Sequence, residues 1–174
     1  AEGYPVSALT QRPMAMYHSW GSQNAWLRQI HGANRLYVGR RLAERDGIAD
    51  DDWVWIESRL GKVKAQVRLM DGVNADTVWT WNAIGKRSGA WGLAADAPES
   101  ERGFLLNHLI GDVLADGSPN ADPVTGQAAW YDLRVRISKA DGLPKSEPHF
   151  PTLKRPPQSP EPAGVLRHGA RDRK

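Results

Sequence analysis

Residues 62–69 carry the most restrictive pattern in the chain, because their side chains alternate strictly between polar and apolar, as Lys-Val-Lys-Ala-Gln-Val-Arg-Leu. Successive side chains of a β-strand point to opposite faces, so one face of this segment packs on a core and the other meets solvent. The preceding run, 53–58, is rich in aromatic and branched residues, and Leu60 and Gly61 stand between the two runs. The pattern predicts a β-hairpin and therefore a fold built around a sheet.

Several other short segments have the composition of strands or helices. We predict strands at 6–9, 36–38, 77–81 and 133–137, and helices at 22–31, 40–45 and from 98 to about 109. Ser22 is the expected N-cap of the first helix, Gly47 ends the second, and Trp53, Trp55 and Trp79 are expected to fill the core. Many short strands with a few short helices predict a mainly β fold of the mixed-barrel type.

The composition limits the classes of protein that fit. The 174 residues, 40% of them hydrophobic, suffice for one domain with a core, and no apolar run approaches the ~20 residues that cross a bilayer. We therefore expect no direct membrane insertion. The absence of cysteine excludes disulfides and cysteine-ligated metals within the chain, and the five histidines lack metal-ligand spacing. The start of the sequence has no signal-peptide pattern, and we expect it to lie within a longer protein.

The basic pI of about 9.3 comes from one end of the chain. Residues 141–174 hold seven of the 23 Lys and Arg and four of the 20 Asp and Glu, which leaves 16 of each sign in residues 1–140. A formally neutral domain argues against binding to a phosphate backbone, so we expect no nucleic-acid partner. Residues 141–174 are also rich in proline and poor in apolar residues, which predicts a disordered basic tail after a domain at 1–140.

Patterns that suggest catalysis have simpler explanations. Residues 50–52, three consecutive aspartates before a strand, are typical of a solvated turn rather than a metal site. Residues 85–89 lack the spacing of a phosphate-binding loop and are expected to form a mobile glycine-rich loop. His18 and Ser19 are adjacent in sequence, which gives no basis for a triad, and the chain has no nucleophile elbow. No catalytic residue is predicted.

The stretch 10–26, Thr-Gln-Arg-Pro-Met-Ala-Met-Tyr-His-Ser-Trp-Gly-Ser-Gln-Asn-Ala-Trp, is better suited to binding. Arg12 can make bidentate contacts with phosphate or with a carbonyl edge. Asn24 and the distant Asn107 can donate and accept toward a heterocycle. The rings of Tyr17, Trp20 and Trp26 can stack.

Several motifs occur in an order that resembles a known domain. The chain is similar to the C-terminal domain of molybdopterin oxidoreductases of the dimethyl sulfoxide reductase family. The motifs are Thr10-Gln11-Arg12, Tyr17-His18-Ser19, Gly47-Ile48-x-Asp50-Asp51, Gly61-x-Val63, Leu106-Asn107-His108-Leu109, Asp122-Pro123 and Gly126. Within that family, the sequences of residues 10–20 and 79–87 are most similar to those of catalytic subunits of sulfite dehydrogenases and of thiosulfate or polysulfide reductases. The match runs from about residue 4 to about 137 and leaves out the tail.

The resemblance implies a double-psi β-barrel that closes over a bis(molybdopterin guanine dinucleotide) cofactor carrying molybdenum or tungsten. It implies that a first set of residues approaches the pterin and its pyrophosphate. The neighbouring Tyr17 and Asn24 are expected beside this set, and Asn107 and Gln127 are expected to complete the site. The first set is Thr10, Gln11, Arg12, His18, Ser19 and Trp20. One departure is that Tyr131-Asp132 stands where many members place a basic residue before the last strand.

The resemblance also implies that the metal ligand and an iron–sulfur cluster lie in upstream domains of the same catalytic subunit. The implied partners are an electron-transfer iron–sulfur subunit together with a membrane anchor subunit, and the implied substrate is a sulfur oxyanion. The domain alone is then expected to be inactive. We expect a cytoplasmic location, with the periplasm as the alternative.

Two other functions fit the residues. The first is a standalone double-psi barrel that binds a protein partner through Trp20, Trp26 and the proline-rich tail. The second is a pyruvoyl-dependent decarboxylase of similar topology, which would cleave itself between Gly21 and Ser22.

Overall fold

The computed structural model describes residues 3–86, 102–129 and 132–140. Within these residues lie six strands, two short α-helices and two 3-10 helices, the latter at His18–Gln23 and Leu106–Leu109. The strands are β1 Val6–Gln11, β2 Leu36–Val38, β3 Trp53–Ser58, β4 Gly61–Leu69, β5 Thr77–Trp81 and β6 Arg134–Lys139, and the α-helices are α1 Ala25–Arg28 and α2 Arg40–Arg45. The mainly β prediction is confirmed.

The strands close into a barrel in the order β1-β5-β2-β4-β3-β6. Two neighbouring pairs, β1 with β5 and β2 with β4, are parallel, and the other pairs are antiparallel. The register places Gln11 beside Trp81 at the ends of β1 and β5, and β2 begins at the same end. We call the end where β1, β3 and β5 finish the upper end of the barrel.

The hairpin prediction is confirmed, since β3 pairs with β4 in a continuous antiparallel register from Trp53–Gln66 to Ser58–Gly61. Alternation puts Val54 and Ile56 in the interior with no exposed surface, so Trp53 and Trp55 lie half-buried on the outside. The prediction that these two tryptophans fill the core is wrong. Each fully buried aliphatic side chain contributes about 1.5–3 kcal/mol, and the interior aliphatics of all six strands supply most of the barrel's stability.

The first predicted helix is shorter than expected and starts elsewhere. The pattern predicts one helix over 22–31 capped by Ser22, but α1 spans only Ala25–Arg28. Asn24 is the N-cap, because its Oδ1 accepts hydrogen bonds from the backbone N–H groups of Trp26 and Leu27. The second helix agrees with its prediction, and Gly47 ends it with a φ of +65°.

Other boundaries also shift. The last strand runs from Arg134 to Lys139 rather than from 133 to 137. Phe104 and Leu105 are not helical, and helical structure there is limited to the 3-10 turn at Leu106–Leu109. Gln66, expected on the solvent face of its strand, is buried and donates to the Asp51 carbonyl oxygen at 3.1 Å. The expected helical opening at 98–101 and the tail at 141–174 lie outside the described residues.

Residues 50–52 do form a turn, but their carboxylates are paired rather than simply solvated. Asp50 lies 3.0 Å from Arg68, and Asp51 lies 2.6 Å from Arg35. Asp52 is buried, accepts the Ala49 backbone N–H at 2.8 Å, and lies 3.0 Å from the Lys139 ammonium group. The turn therefore connects the barrel strands by ion pairs. In the part of the chain that the structure describes, no helix has the length and apolar content to cross a membrane.

Candidate functional site

The residues 10–20, which we call the contact loop, leave the barrel at its upper end. Thr10 and Gln11 are the last two residues of β1, and the Gln11 carbonyl oxygen accepts the Asn82 backbone N–H at 2.9 Å. Arg12 follows and is exposed. The contact loop therefore begins from a fixed point on the sheet, with its guanidinium group in solvent.

The contact loop has one buried apolar anchor, and two of its aromatic side chains are exposed. Met16 is 2% exposed and packs in a small apolar cluster with Ala83, Ile84 and the partly buried Leu27. Two of the candidate aromatic residues point outward instead, with Tyr17 67% and Trp20 61% exposed. Large apolar side chains on an anchored surface loop are typical of a contact surface.

His18 has an unusual backbone conformation. Its φ is +47°, in the left-handed region that non-glycine residues rarely adopt. Its ring meets that of Tyr17 edge to face, with 5.2 Å between centroids, and its Nδ1 lies 3.1 Å from Asn82 Nδ2. Strained conformations of this kind cost about 1–3 kcal/mol and cluster at functional sites.

Two candidate residues have clear local roles. The Ser19 carbonyl oxygen accepts a hydrogen bond from the Ser22 hydroxyl at 2.7 Å, which closes the 3-10 turn. Asn24 is exposed, but its Oδ1 is used as the cap of α1. A ligand at Asn24 would therefore meet its amide nitrogen.

Asn34, just before β2, holds the upper end together. Its Nδ2 lies 2.7, 3.1 and 3.0 Å from the carbonyl oxygens of Trp81, Ile84 and Phe104. Its Oδ1 accepts the Trp81 backbone N–H at 3.1 Å and lies 2.7 Å from the Thr80 hydroxyl. Asn34 is only 4% exposed, so these bonds form away from water. It is a support for the site rather than a contact residue.

Residues 102–109, which we call the crossing segment, run over the upper end of the barrel. Its Phe104, Leu106 and Leu109 are each 1% exposed and join the core. The Leu109 carbonyl oxygen accepts the Ser58 hydroxyl at 2.8 Å, and the Phe104 carbonyl oxygen accepts the Asn34 amide, so the segment connects the end of β3 with the start of β2. Asn107 lies exposed on this segment. The contact loop and Asn107 therefore share one end of the barrel.

The segment 82–86 packs against the crossing segment without room for side chains. A Cβ atom at Gly85 would lie 2.5 Å from the Phe104 carbonyl carbon, and one at Gly103 would lie 2.4 Å from the Ile84 carbonyl oxygen. Gly85 and Lys86 are buried, which contradicts the prediction of a mobile loop for these two residues. Burial lowers the pKa of Lys86, whose Nζ lies 3.5 Å from Gln23 Oε1. Residues 87–89 lie outside the described residues.

Asn107 lines a cleft of about 320 Å³ between the crossing segment and residues 110–129. A second cleft of about 490 Å³ adjoins it and is lined in part by Arg59, Asp132 and Arg134. Gln127 is exposed, and its carbonyl oxygen accepts the Asp122 backbone N–H at 2.7 Å beside the cleft-lining Gly126. Hydrogen bonds from Thr125 and Val124 hold the pKa of Asp122 below its usual range, so its carboxylate is charged.

The side chains that the structure describes at the upper end are of types that bind polar ligands. In residues 3–86, 102–129 and 132–140, no cluster of His, Asp or Glu could hold a metal ion. The groups present are a solvent-facing guanidinium, an imidazole, aromatic rings and amides. Asn82 Oδ1 is buried and finds no hydrogen-bond partner among the described residues, which is costly unless the amide is needed there. Such a donor set suits a large polar heterocycle with anionic oxygens.

A family model matches most of the chain. Residues 7–128 match the model of the molydopterin dinucleotide binding domain, and this range includes the contact loop, the crossing segment and most residues that line the smaller cleft. The chain belongs to this family. The resemblance seen in the motifs is therefore confirmed.

Relatives of this family member are larger proteins. It is 55% identical over 161 residues to a sulfite dehydrogenase subunit from Allochromatium vinosum, an alignment that covers 88% of the chain and 17% of the relative. It is 36% identical over 151 residues to dopamine dehydroxylase of Eggerthella lenta, covering 83% and 13%. It is 29% identical over 87 residues to the thiosulfate reductase molybdopterin-containing subunit of Salmonella typhimurium, covering 50% and 11%. The chain thus spans less than a fifth of these relatives.

A solved structure with the same fold is acetylene hydratase from Pelobacter acetylenicus. The TM-score is 0.59 at 17% sequence identity, and the match covers 80% of this chain and 19% of that one. This likeness concerns the fold alone, and it confirms the double-psi β-barrel of this molybdopterin dinucleotide-binding domain.

Sequence reasoning misses two members of the site, Asn34 and Asn82. The local sequence pattern places Asn34 only after the predicted helix at 22–31 and Asn82 only after the predicted strand at 77–81. Their partners lie 46 to 70 residues away along the chain, so no local pattern could reveal them. A single polar residue flanking a buried strand is the one signal that each offers.

Proposed function

We propose that this domain holds one side of a bis(molybdopterin guanine dinucleotide) cofactor in the catalytic subunit of a molybdenum or tungsten oxidoreductase that acts on a sulfur oxyanion. The observation that carries the proposal is the contact loop, a polar and aromatic surface fixed on buried anchors at the same barrel end as Asn107. Bound there, the cofactor would supply two-electron chemistry at its metal. The chain's own residues bind and orient it.

Each candidate residue has a distinct role in this proposal. The Arg12 guanidinium, in solvent and beyond the end of β1, pairs with a phosphate oxygen in a bidentate contact. His18 and Ser19 offer hydrogen bonds to the pterin or its pyrophosphate, and Tyr17 and Trp20 stack on or shield the ring system. Thr10 and Gln11 fix the start of the contact loop. Asn107 and Gln127 approach from the other side, along the clefts.

The clefts support a second region of contact with the dinucleotide. Arg59 and Arg134 line the larger one and bring positive charge to it, while Asp132 stands beside them. Two guanidinium groups suit phosphate, and an exposed carboxylate suits the N–H groups of a guanine edge. This supports the guanine form of the cofactor.

Exposed apolar side chains support assembly with the rest of a larger subunit. Met14, Tyr17, Trp20 and Trp26 are between 61% and 102% exposed, and all lie on or next to the contact loop. Solitary exposed apolar residues are ordinary, but several in one short stretch mark an interaction surface. We propose that upstream domains, which carry the metal ligand and an iron–sulfur cluster, cover this surface. The further partners are an iron–sulfur subunit together with a membrane anchor subunit, in a cytoplasmic location.

The test uses the complete catalytic subunit that contains this domain. We expect molybdenum or tungsten and two pterins per subunit, release of guanine nucleotide on acid hydrolysis, and turnover of sulfite or thiosulfate. The 174-residue chain alone should show no turnover. A subunit that folds without metal and pterin but binds a protein partner through Trp20 and Trp26 would instead support an interaction module. Intact mass checks the pyruvoyl alternative, since self-cleavage before Ser22 would split the chain.

A further inference from the structure

We infer that Asn82 is a positioning residue for His18, and that its amide N–H fixes the imidazole in the tautomer that carries its proton on Nε2. The inference rests on the proposed function only where it assigns the Nε2–H to the cofactor. The tautomer itself follows from the packing of the two side chains.

The geometry of the pair is set by the backbone on both sides. The Asn82 backbone N–H is bonded to the Gln11 carbonyl oxygen, directly before the contact loop turns away from the sheet. His18 has its φ of +47° at the start of the 3-10 turn, and its Nδ1 lies 3.1 Å from Asn82 Nδ2. The His18 backbone thus adopts a costly conformation that brings its imidazole to this amide.

The buried amide has two possible orientations, and their costs differ. With Nδ2 toward His18, one N–H is donated to Nδ1, and Oδ1 is left as a buried acceptor without a partner in the described part of the chain. With the amide rotated by half a turn, Oδ1 would accept from a protonated Nδ1, and both N–H groups would be buried in its place. Orphaned buried N–H groups are rarer in proteins than acceptors lacking a partner. The first orientation is therefore favoured.

The tautomer follows from that orientation. A neutral imidazole has one donor nitrogen and one acceptor nitrogen. If Nδ1 accepts from Asn82, the proton must be on Nε2, and among the described residues no hydrogen-bond partner of Nε2 is found. Nε2–H is then available as a donor to a carbonyl or phosphate oxygen of the bound dinucleotide. Asn82 therefore acts on the cofactor only through His18. The orientation of a histidine ring is often fixed in this way, by the hydrogen bond that the other ring nitrogen makes.

The first experiment measures the tautomer directly in the 174-residue chain labelled with ¹⁵N-histidine. His18→Gln identifies the His18 resonances among the five histidines. In the neutral imidazole, we expect Nδ1 of His18 to resonate as an unprotonated nitrogen and Nε2 as a protonated one. A protonated Nδ1 in the unaltered chain would overturn the inference without any variant of Asn82 having to fold.

The second experiment reverses the polarity of the contact. Asn82→Asp offers only a carboxylate, which accepts, so the contact can persist only if Nδ1 of His18 carries a proton. The matched control is Asn74→Asp, which adds the same charge at an exposed site before β5, at the opposite end of the barrel. We expect the His18 nitrogen shifts to change in Asn82→Asp and to stay unchanged in Asn74→Asp. Identical shifts in all three chains would overturn the inference.

The third experiment asks whether the positioning matters for the cofactor. In the complete subunit, Asn82→Asp and Asn82→Leu should lose molybdenum and pterin on dialysis roughly three- to tenfold faster than the unaltered subunit, as expected for one lost hydrogen bond. Asn74→Asp should match the unaltered subunit. Equal retention by all of them would overturn the cofactor part of the inference. An unaltered subunit without cofactor would overturn the proposed function, while the tautomer measurement would still stand.

Discussion

Replacement of Asn34 by alanine should destabilise the upper end of the barrel severely. Its amide makes up to four hydrogen bonds: two N–H groups shared among the carbonyl oxygens of Trp81, Ile84 and Phe104, and two accepted at Oδ1. At about 1 kcal/mol for each buried bond, Asn34→Ala should cost about 4 kcal/mol. That is a large share of the roughly 5–15 kcal/mol by which a domain is stable.

Urea unfolding of the 174-residue chain, followed by tryptophan fluorescence, measures this loss as a lower midpoint with an unchanged slope. Asn74→Ala, at an exposed asparagine without a side-chain bond of this kind among the described residues, is the matched control and should change stability by less than about 0.5 kcal/mol. A loss below about 1 kcal/mol for Asn34→Ala would refute the claim that this amide joins β5 to the crossing segment.

Asn34→Asp gives an independent check with a pH signature. The carboxylate still accepts from Trp81 but faces three carbonyl oxygens without an N–H to offer, so its pKa should be raised above that of the unfolded chain. The part of the penalty that comes from ionisation is then absent where both states are protonated, below about pH 4. It grows as the pH rises from the unfolded pKa to the folded pKa and is constant above that. A variant whose deficit is the same at acid and neutral pH would contradict the arrangement of oxygens around this site.

Two further predictions concern the same end of the barrel. Gly103→Ala would place a Cβ atom 2.4 Å from the Ile84 carbonyl oxygen and should lower the free energy of unfolding in urea by about 1–3 kcal/mol or more. The control Gly72→Ala, with nothing within 4 Å in the described part of the chain, should be nearly neutral. Equal effects of the two substitutions would disprove the tight packing of residues 82–86 against the crossing segment. Burial lowers the pKa of His31, so as the pH falls the unfolded chain takes up a proton before the folded chain does. The free energy of unfolding should therefore fall, relative to that of His31→Gln, as the pH drops below about 6.5. Parallel plots of stability against pH for the two proteins would show that His31 is not desolvated.

Local pattern predicts the parts of the fold that depend on neighbours in sequence. The hairpin at residues 53–69 could be predicted because each strand shows its buried face in its own alternation. The same alternation should have kept Trp53 and Trp55 outside, but their size and hydrophobicity suggested core positions. On the outer face of a small barrel, large aromatic rings can be partly covered by neighbouring side chains. The Lys62 ammonium group, for example, lies over the Trp55 ring.

The parts that could not be predicted depend on contacts distant in sequence or on competing local bonds. The helix expected at 22–31 is interrupted because Asn24, not Ser22, caps it, while the Ser22 hydroxyl bonds back to Ser19. Close packing at Gly85 likewise depends on a segment about 20 residues further along the chain, which single-sequence patterns do not reveal. The role of the contact loop as a binding surface stays a prediction, and the structure shows only that Arg12, Tyr17 and Trp20 are exposed while Met16 is buried.

The central claim is that the contact loop holds the molybdopterin dinucleotide, and cofactor content of the complete subunit tests it most directly. Arg12 is exposed and His18 is half-buried, and neither belongs to the hydrophobic core, so Arg12→Ala and His18→Ala should leave the thermal unfolding of the subunit nearly unchanged. We expect both variants, and more strongly their combination, to contain less molybdenum and pterin per subunit than the unaltered protein. Full molybdenum and pterin content in the double variant would contradict the assignment of the contact loop.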